Sequence, residues 1–299
     1  MVLVSSNFSR RAFSTKDFVF QATNLVFSLY ILVAFVIYYV KFESKKRKTK
    51  ENSILNMVCL FNATCAFVCV VKDLAILYFK SRTKLFCFLI VDIAGGVPYF
   101  FGVSSAFGML WYRQRKLYSS PIMKMYIFKG FNAINYLLLI CFLSFMVPIV
   151  VIFLYESTWE LHRNETCKHS FEGKVNVVAM TVSYCVLTVT CQLALFTFIA
   201  YPIVWSLLKK RSQVGPDLKK ILKRLLLCTL GCCVSSFQIN LFILLINNNH
   251  FYLYWPNFAG LDLILTALCV IGTFGNWRMR LFPFRTNLIK KRQSNEGPI

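Results

Sequence analysis

The stretch GMLWYRQRKLY, Gly108 to Tyr118, closes a long apolar run and turns abruptly basic. A change from hydrocarbon-compatible to cationic within a few residues is how a membrane-spanning helix ends. Arg113 stands at the change and carries two readings. In one it is a topogenic charge beside Arg115 and Lys116; in the other it is a working residue at the mouth of a span.

Outward from this stretch the pattern repeats. The chain of 299 residues is 57% hydrophobic and holds 30 Phe, with a mean hydropathy of +0.58. A soluble domain of this size cannot hide so much apolar surface, whereas a bilayer accepts it. Seven windows long enough to span lie between charge clusters, at 19–40, 54–79, 86–112, 131–155, 175–208, 222–246 and 251–277. The expected fold is therefore all-α, a polytopic seven-transmembrane helix bundle over 19–277, with an extracellular segment 1–18 and a cytoplasmic tail 278–299. No internal repeat supports an inverted-repeat transporter. The opening MVLVSSNFSRRAFSTKD lacks a basic start followed by an apolar core, so the first span is expected to target the chain itself.

A net charge of +22 raises the question of nucleic acid, but its placement answers it. Lys and Arg number 6, 5, 7 and 6 in segments 41–50, 113–129, 209–224 and 278–292. On the other side they number 3, 4, 3 and none. The positive-inside rule then puts the N-terminus outside and the C-terminus inside. Anionic inner-leaflet lipid is the expected partner of the basic clusters, and nucleic acid is not. The sequons at Asn7 and Asn164 both fall outside on this topology, while Asn62-Ala63-Thr64 falls within the second span.

Ten of the twelve Cys sit inside spans, where a thiol behaves as a small apolar group. Cys87, at the start of the third span, and Cys167, in the longest outer loop, lie on the oxidising side. A bridge between them is expected, with two free thiols as the alternative. The three His are scattered and no Cys/His spacing suggests a metal.

Seven spans, an outer N-terminus and a link from the top of span three to the second outer loop together resemble a divergent rhodopsin-like (class A) G-protein-coupled receptor. Trp111-Tyr112-Arg113 occupies the place of that family's Asp-Arg-Tyr. Arg113 lies 26 residues after Cys87, about 39 Å along a helix. The acid before the arginine is absent, as are the Cys-Trp-x-Pro of span six and the Asn-Pro-x-x-Tyr of span seven. The resemblance implies that Arg113 locks the inner ends of spans three and six, then meets a heterotrimeric G protein.

Ionisable groups within spans are costly and mark function or pairing. Lys72, Asp73, Asp92 and Asp262 all fall in the outer third, at one level. With spans two, three and seven adjacent, as the resemblance implies, they would line one cavity walled by Tyr99 and Trp255. The ligand most simply accommodated carries a cationic group; the alternative is a structural Lys72–Asp pair with snorkelling neighbours. Gly95-Gly96-Val97-Pro98 predicts a kink just below Asp92.

On the inner side, Gly215-Pro216 breaks the connection between spans five and six, and Lys219, Lys220, Lys223 and Arg224 follow on a helix facing the cytoplasm. Lys220 and Arg224 join Arg113 as expected G-protein contacts, with lipid as the alternative. After Trp277, RMRLFPFRTNLIKKRQ predicts a short amphipathic helix on the membrane with Pro283 in its first turn.

No phosphate-binding glycine loop, zinc pattern or buried His/Asp set argues for an enzyme, and no cofactor is expected. A channel, a transporter or a non-signalling scaffold is the alternative to a receptor. The expected location is the plasma membrane. Enzymatic deglycosylation is expected to strip glycans from Asn7 and Asn164, each loss abolished by its own Asn→Gln change. Asn62→Gln is expected to leave gel mobility unchanged.

Overall fold

The computed structural model describes residues 15–43, 50–78, 84–119, 130–161, 167–171, 177–208, 216–245 and 251–285. The protein is an all-α bundle. Its seven long helical elements are Thr15–Tyr38, Lys50–Tyr78, the third span from Lys84 through Tyr118, Phe131–Glu156, Val177–Leu208, Pro216–Leu245 and Phe251–Gly272. Among the described residues six of these are long and apolar enough to cross a membrane, and the seventh contributes the apolar stretch Ala259–Gly272. This is a multi-pass membrane protein.

The distribution of side chains follows from the solvent. Large apolar residues face outward on every side, among them Val26, Ile140, Val147, Val186 and Leu227, each more than half exposed. Polar residues such as Asn56, Asn62, Asp92, Gln114 and Asp262 are at most 1% exposed. In hydrocarbon a polar group must find its partner inside the protein, so the bundle turns its polar side chains to its own axis. Asn62 does so by donating to the carbonyl of Gly102 at 2.7 Å and to Ser105 Oγ at 3.1 Å. Its sequon is thus closed within the bundle, as expected.

The third span is built in three pieces. Lys84–Cys87 is α-helical, Phe88–Gly96 is a π-helix, and Val97–Tyr118 is α-helical again with Pro98 in its first turn. The proline sets this join. Within a continuous α-helix its ring would clash with the carbonyl four residues back and leave that carbonyl unbonded. Widening the preceding turns removes the conflict, and Pro98 then occupies a position where its missing N–H costs nothing. The predicted kink is realised as this change of helix type.

Between spans four and five, the strands β1 (Ser157–Leu161) and β2 (Cys167–Phe171) form an antiparallel hairpin in which Leu161 faces Cys167. Strand β1 lies against Lys84–Cys87 and the π-helix, so the hairpin rests on the end of span three that holds Cys87. The side chains of Cys87 and Cys167 lie outside the described residues, as does that of Trp255. Asn7 and Asn164 lie outside them altogether.

Packing on the rest of span three is aromatic. Phe107 stacks on Phe142 of the fourth span at 4.0 Å, and Trp111 Nε1 donates to the carbonyl of Asn135 at 2.9 Å. Tyr118 donates to the carbonyl of Phe198 on the fifth span. The sixth and seventh spans interlock by a reciprocal device, in which a Cβ on Gly231 would stand 2.7 Å from Cys269 Sγ and one on Gly272 3.0 Å from Cys228 Sγ. Small residues permit this close approach, which is how helices associate where no hydrophobic force acts between them.

At the far end, the seventh span stops at Gly272, a turn follows, and a short helix runs Trp277–Leu281. Pro283 opens a 3-10 turn, Pro283–Arg285, instead of lying in the first turn of that helix. The Tyr30 hydroxyl of the first span donates to the carbonyl of Leu281 at 2.7 Å.

A Cβ on Gly102 would meet Leu263 Cδ2 at 2.6 Å, whereas one on Gly108 would meet nothing within 4 Å. Gly102→Ala is therefore expected to destabilise the bundle by about 1–3 kcal/mol through overpacking. Gly108→Ala should leave stability unchanged or raise it, since alanine is the better helix former. Thermal unfolding followed by labelling of the buried thiols Cys59, Cys69 and Cys232 separates the two.

Candidate functional site

Two polar assemblies connect the helices, one toward each end. The first joins spans two, three and seven. Lys72 and Asp73 are adjacent in sequence, and helix geometry turns neighbouring side chains about 100° apart. They nevertheless pair, Lys72 Nζ lying 2.5 Å from Asp73 Oδ1, with side chains only 4% and 1% exposed. Two glycines make room. A Cβ on Gly95 of the π-helix would lie 2.7 Å from Lys72 Cδ, and one on Gly260 of span seven would lie 3.3 Å from Asp73 Oδ2. The lysine stem thus lies across Gly95 while its ammonium stays with the carboxylate. Cys69 Sγ adds a contact to the carbonyl of Gly95 at 3.4 Å.

One helical turn further along span three, Tyr99 reaches Asp262. Its hydroxyl donates to Oδ2 at 3.2 Å, and Ser235 of span six donates to Oδ1 at 2.6 Å. Thr266, one turn along span seven, approaches Oδ1 at 3.5 Å. Asp262 is held by hydroxyls from three helices. Asp92, in the π-helix, is wholly buried as well. The outer groups singled out from the sequence are therefore gathered on adjacent helices, as expected. They form a closed, filled junction instead of an open vestibule: Lys72, Asp73, Asp92, Tyr99 and Asp262 are all at most 5% exposed.

The second assembly surrounds the end of the seventh span and includes Arg113. The last carbonyls of a helix lack internal partners and carry the negative end of its dipole. Arg113 donates from Nη1 to the carbonyl of Thr273 at 2.8 Å, and Arg224 of span six donates from Nη1 to that of Phe274 at 3.1 Å. Two consecutive carbonyls are thus taken by arginines from two different spans. Arg113 also lies over the Phe274 ring at 3.6 Å, and Arg280, from the short final helix, lies over it at 3.4 Å. Two guanidiniums that close cannot share a face, so the ring is sandwiched between them.

Arg280 is the residue that sequence reading missed. It is 5% exposed, donates from Nη1 to Asn56 Oδ1 at 2.5 Å and from Nε to Asn276 Oδ1 at 2.9 Å, and lies near the Tyr38 ring. Asn276 in turn donates to the Tyr38 hydroxyl at 2.8 Å. The available signal was the spacing of Asn276 and Arg280, one helical turn apart. Two cations facing each other across one ring repel by roughly 2 kcal/mol at the effective dielectric of such a site. The helix-terminal carbonyls, the two asparagines and the ring faces offset this.

Arg113 therefore turns inward, whereas Arg115 and Lys116 are exposed, Arg115 lying over the Tyr136 ring at 4.6 Å. The same division occurs on span six. Lys220 and Lys223 are exposed, but Arg224 leaves that face for the Phe274 carbonyl. A water-sized cavity of about 20 Å³ lies between the two assemblies, lined by Gln192, Ser236, Thr229 and Thr266 among others. No cluster of metal-ligating groups occurs among the described residues.

No protein-family model matches the chain, and no curated protein matches it. The class that fold and site define is a multi-pass helical membrane bundle, with polar ties at the middle and just past the end of its seventh helix.

Arg280→Met leaves Asn56 and Asn276 without their donor and uncovers one face of Phe274. It is expected to cost about 2–3 kcal/mol. Arg278→Met, on an exposed residue, should cost less than about 0.5 kcal/mol. Paired unfolding midpoints in the same detergent check the difference.

Proposed function

We propose that this protein is a cell-surface receptor of the plasma membrane that binds an extracellular ligand and relays a helix movement to a heterotrimeric G protein. One observation carries the reading. The seventh span is tied to spans three and six twice, through Asp262 to Tyr99 and Ser235, and through Thr273 and Phe274 to Arg113 and Arg224. The ties lie 11 residues apart, about 16 Å along the helix. Helices are stiff over that length, so a shift of span seven at one tie strains the other. That is the minimum a two-state relay requires.

The charge pattern puts Asp262, Lys72, Asp73 and Asp92 toward the outside. A ligand bearing a cationic group draws on Asp262, which the hydroxyls of Tyr99, Ser235 and Thr266 hold. Its entry requires the junction to open, and the π-helix that contains Asp92 is the kind of irregular turn found at functional sites. Arg113 and Arg224 then serve as resting-state ties whose release exposes the G-protein face, with Lys220 beside it. The π-helix, the glycines at 95 and 260 and the hydroxyl ring around Asp262 support a movable joint. A pore finds less support, since the acidic groups of the spans cluster at one level instead of crossing the bilayer.

Basal G-protein activation, read by energy-transfer sensors at matched surface expression, tests the relay. Arg113→Ala at the inner tie and Tyr99→Phe at the outer tie are each expected to change it at least about fivefold, the lower range of allosteric coupling. Wild type, Arg113→Ala and Tyr99→Phe all matching empty vector across the four G-protein families would overturn coupling.

A further inference from the structure

The arginines at the end of span seven are richer in donors than their bonds require. A guanidinium carries five N–H groups in a planar fork, and the carbonyl bonds of Arg113 and Arg224 use one each. Arg113 Nε is buried with no hydrogen-bond partner, which is costly for a donor and marks an acceptor still to be supplied. The charges acting on Arg113 include Arg224 and Arg280, and among the described residues no carboxylate is one of them. The uncharged thiols of Cys59 and Cys228 are its other neighbours there. Positive potential is concentrated at this point and forked donors converge on it.

We propose that Arg113 and Arg224 form a seat for a phosphate-type oxyanion, bridging spans three and six at the end of span seven. Guanidinium forks suit tetrahedral oxyanions, which take two N–H groups from one side chain and leave oxygens for a second. The helix-terminal carbonyls hold the two arginines in place, and the oxyanion takes the donors that the carbonyls leave. The exposed Lys220 and Lys223, one turn and one residue before Arg224, raise the local concentration of anions. The same chemistry comes from two sources, the phosphorylated headgroup of an inner-leaflet lipid or a soluble phosphate. Occupancy would fasten the inner ends of spans three and six together whether or not the chain couples to a G protein, so this inference stands apart from the receptor reading.

The test uses the full chain in phosphatidylcholine nanodiscs, with unfolding followed by thiol labelling. Phosphatidylinositol 4,5-bisphosphate in the disc is one arm. Inorganic phosphate, against chloride at equal ionic strength, is the other. A raised midpoint in the first arm alone assigns the seat to lipid, and in the second to soluble phosphate. Arg224→Gln is expected to weaken either response about tenfold or more, while the double change Lys220→Gln, Lys223→Gln retains most of it. Should Arg224→Gln fail to fold, Arg224→Lys keeps the charge and loses the fork, and the same weakening is expected. No response in either arm overturns the proposal. So does a response that survives at Arg224 but is lost with the two lysines, which places the anion on the exposed helix face. Binding of an acidic peptide without any response to phosphate overturns it in favour of a protein partner.

Discussion

In a bilayer the polar group has no second choice of partner, and this constraint organises the molecule. Water would satisfy a stray carbonyl, amide or carboxylate at little cost; hydrocarbon does not. Gln21, Asn24, Asn56, Asn62, Asp73, Asp92 and Asp262 therefore face the bundle axis, and the helices are brought together where these groups find one another. Apolar residues, which in a soluble protein would form the core, are free to face outward. The bundle is held by small residues in close approach and by a few cross-helix hydrogen bonds, each modest in energy but unable to be exchanged for water.

The end of the seventh span shows how buried arginines are braced with no carboxylate acting on Arg113 among the described residues. The brace is supplied by backbone. Thr273 and Phe274 offer carbonyls in the turn just past the helix end, and Arg113 and Arg224 donate to them from two spans. A helix C-terminus carries only part of a negative charge, yet its carbonyls accept hydrogen bonds as well as a carboxylate does in direction. The Phe274 ring adds two faces for cations. Aromatic and backbone groups thus replace an ion pair, and replacing a buried charge with neutral acceptors lowers the desolvation that the site must overcome.

At the opposite end the same economy is reached with glycine. Lys72 and Asp73 pair inside the membrane only because Gly95 and Gly260 leave space beside them. The π-helix that contains Gly95 is itself a consequence of Pro98. One proline thus sets the helix type that positions one glycine, and that glycine receives the stem of one lysine. These are local decisions with a long-range result, because they put spans two, three and seven in contact at one level.

Composition and charge placement alone determined the bundle, its seven helices and its expected orientation, because those depend on which solvent each segment meets and not on any neighbour. They also brought Lys72, Asp73, Asp92 and Asp262 to one level, since depth along a helix follows from residue count. What only the tertiary structure decided is azimuth. One residue turns a side chain by about 100°, so Arg113 and Arg115 differ by two positions and face opposite ways. Arg224 leaves the lysine face, and Arg280, read from the sequence as one charge of a surface helix, is buried against Phe274 and Asn56. Which way a helix faces is set by the helices it packs against. The hydroxyls of Tyr99 and Ser235 became partners of Asp262 only once three separate spans were laid side by side.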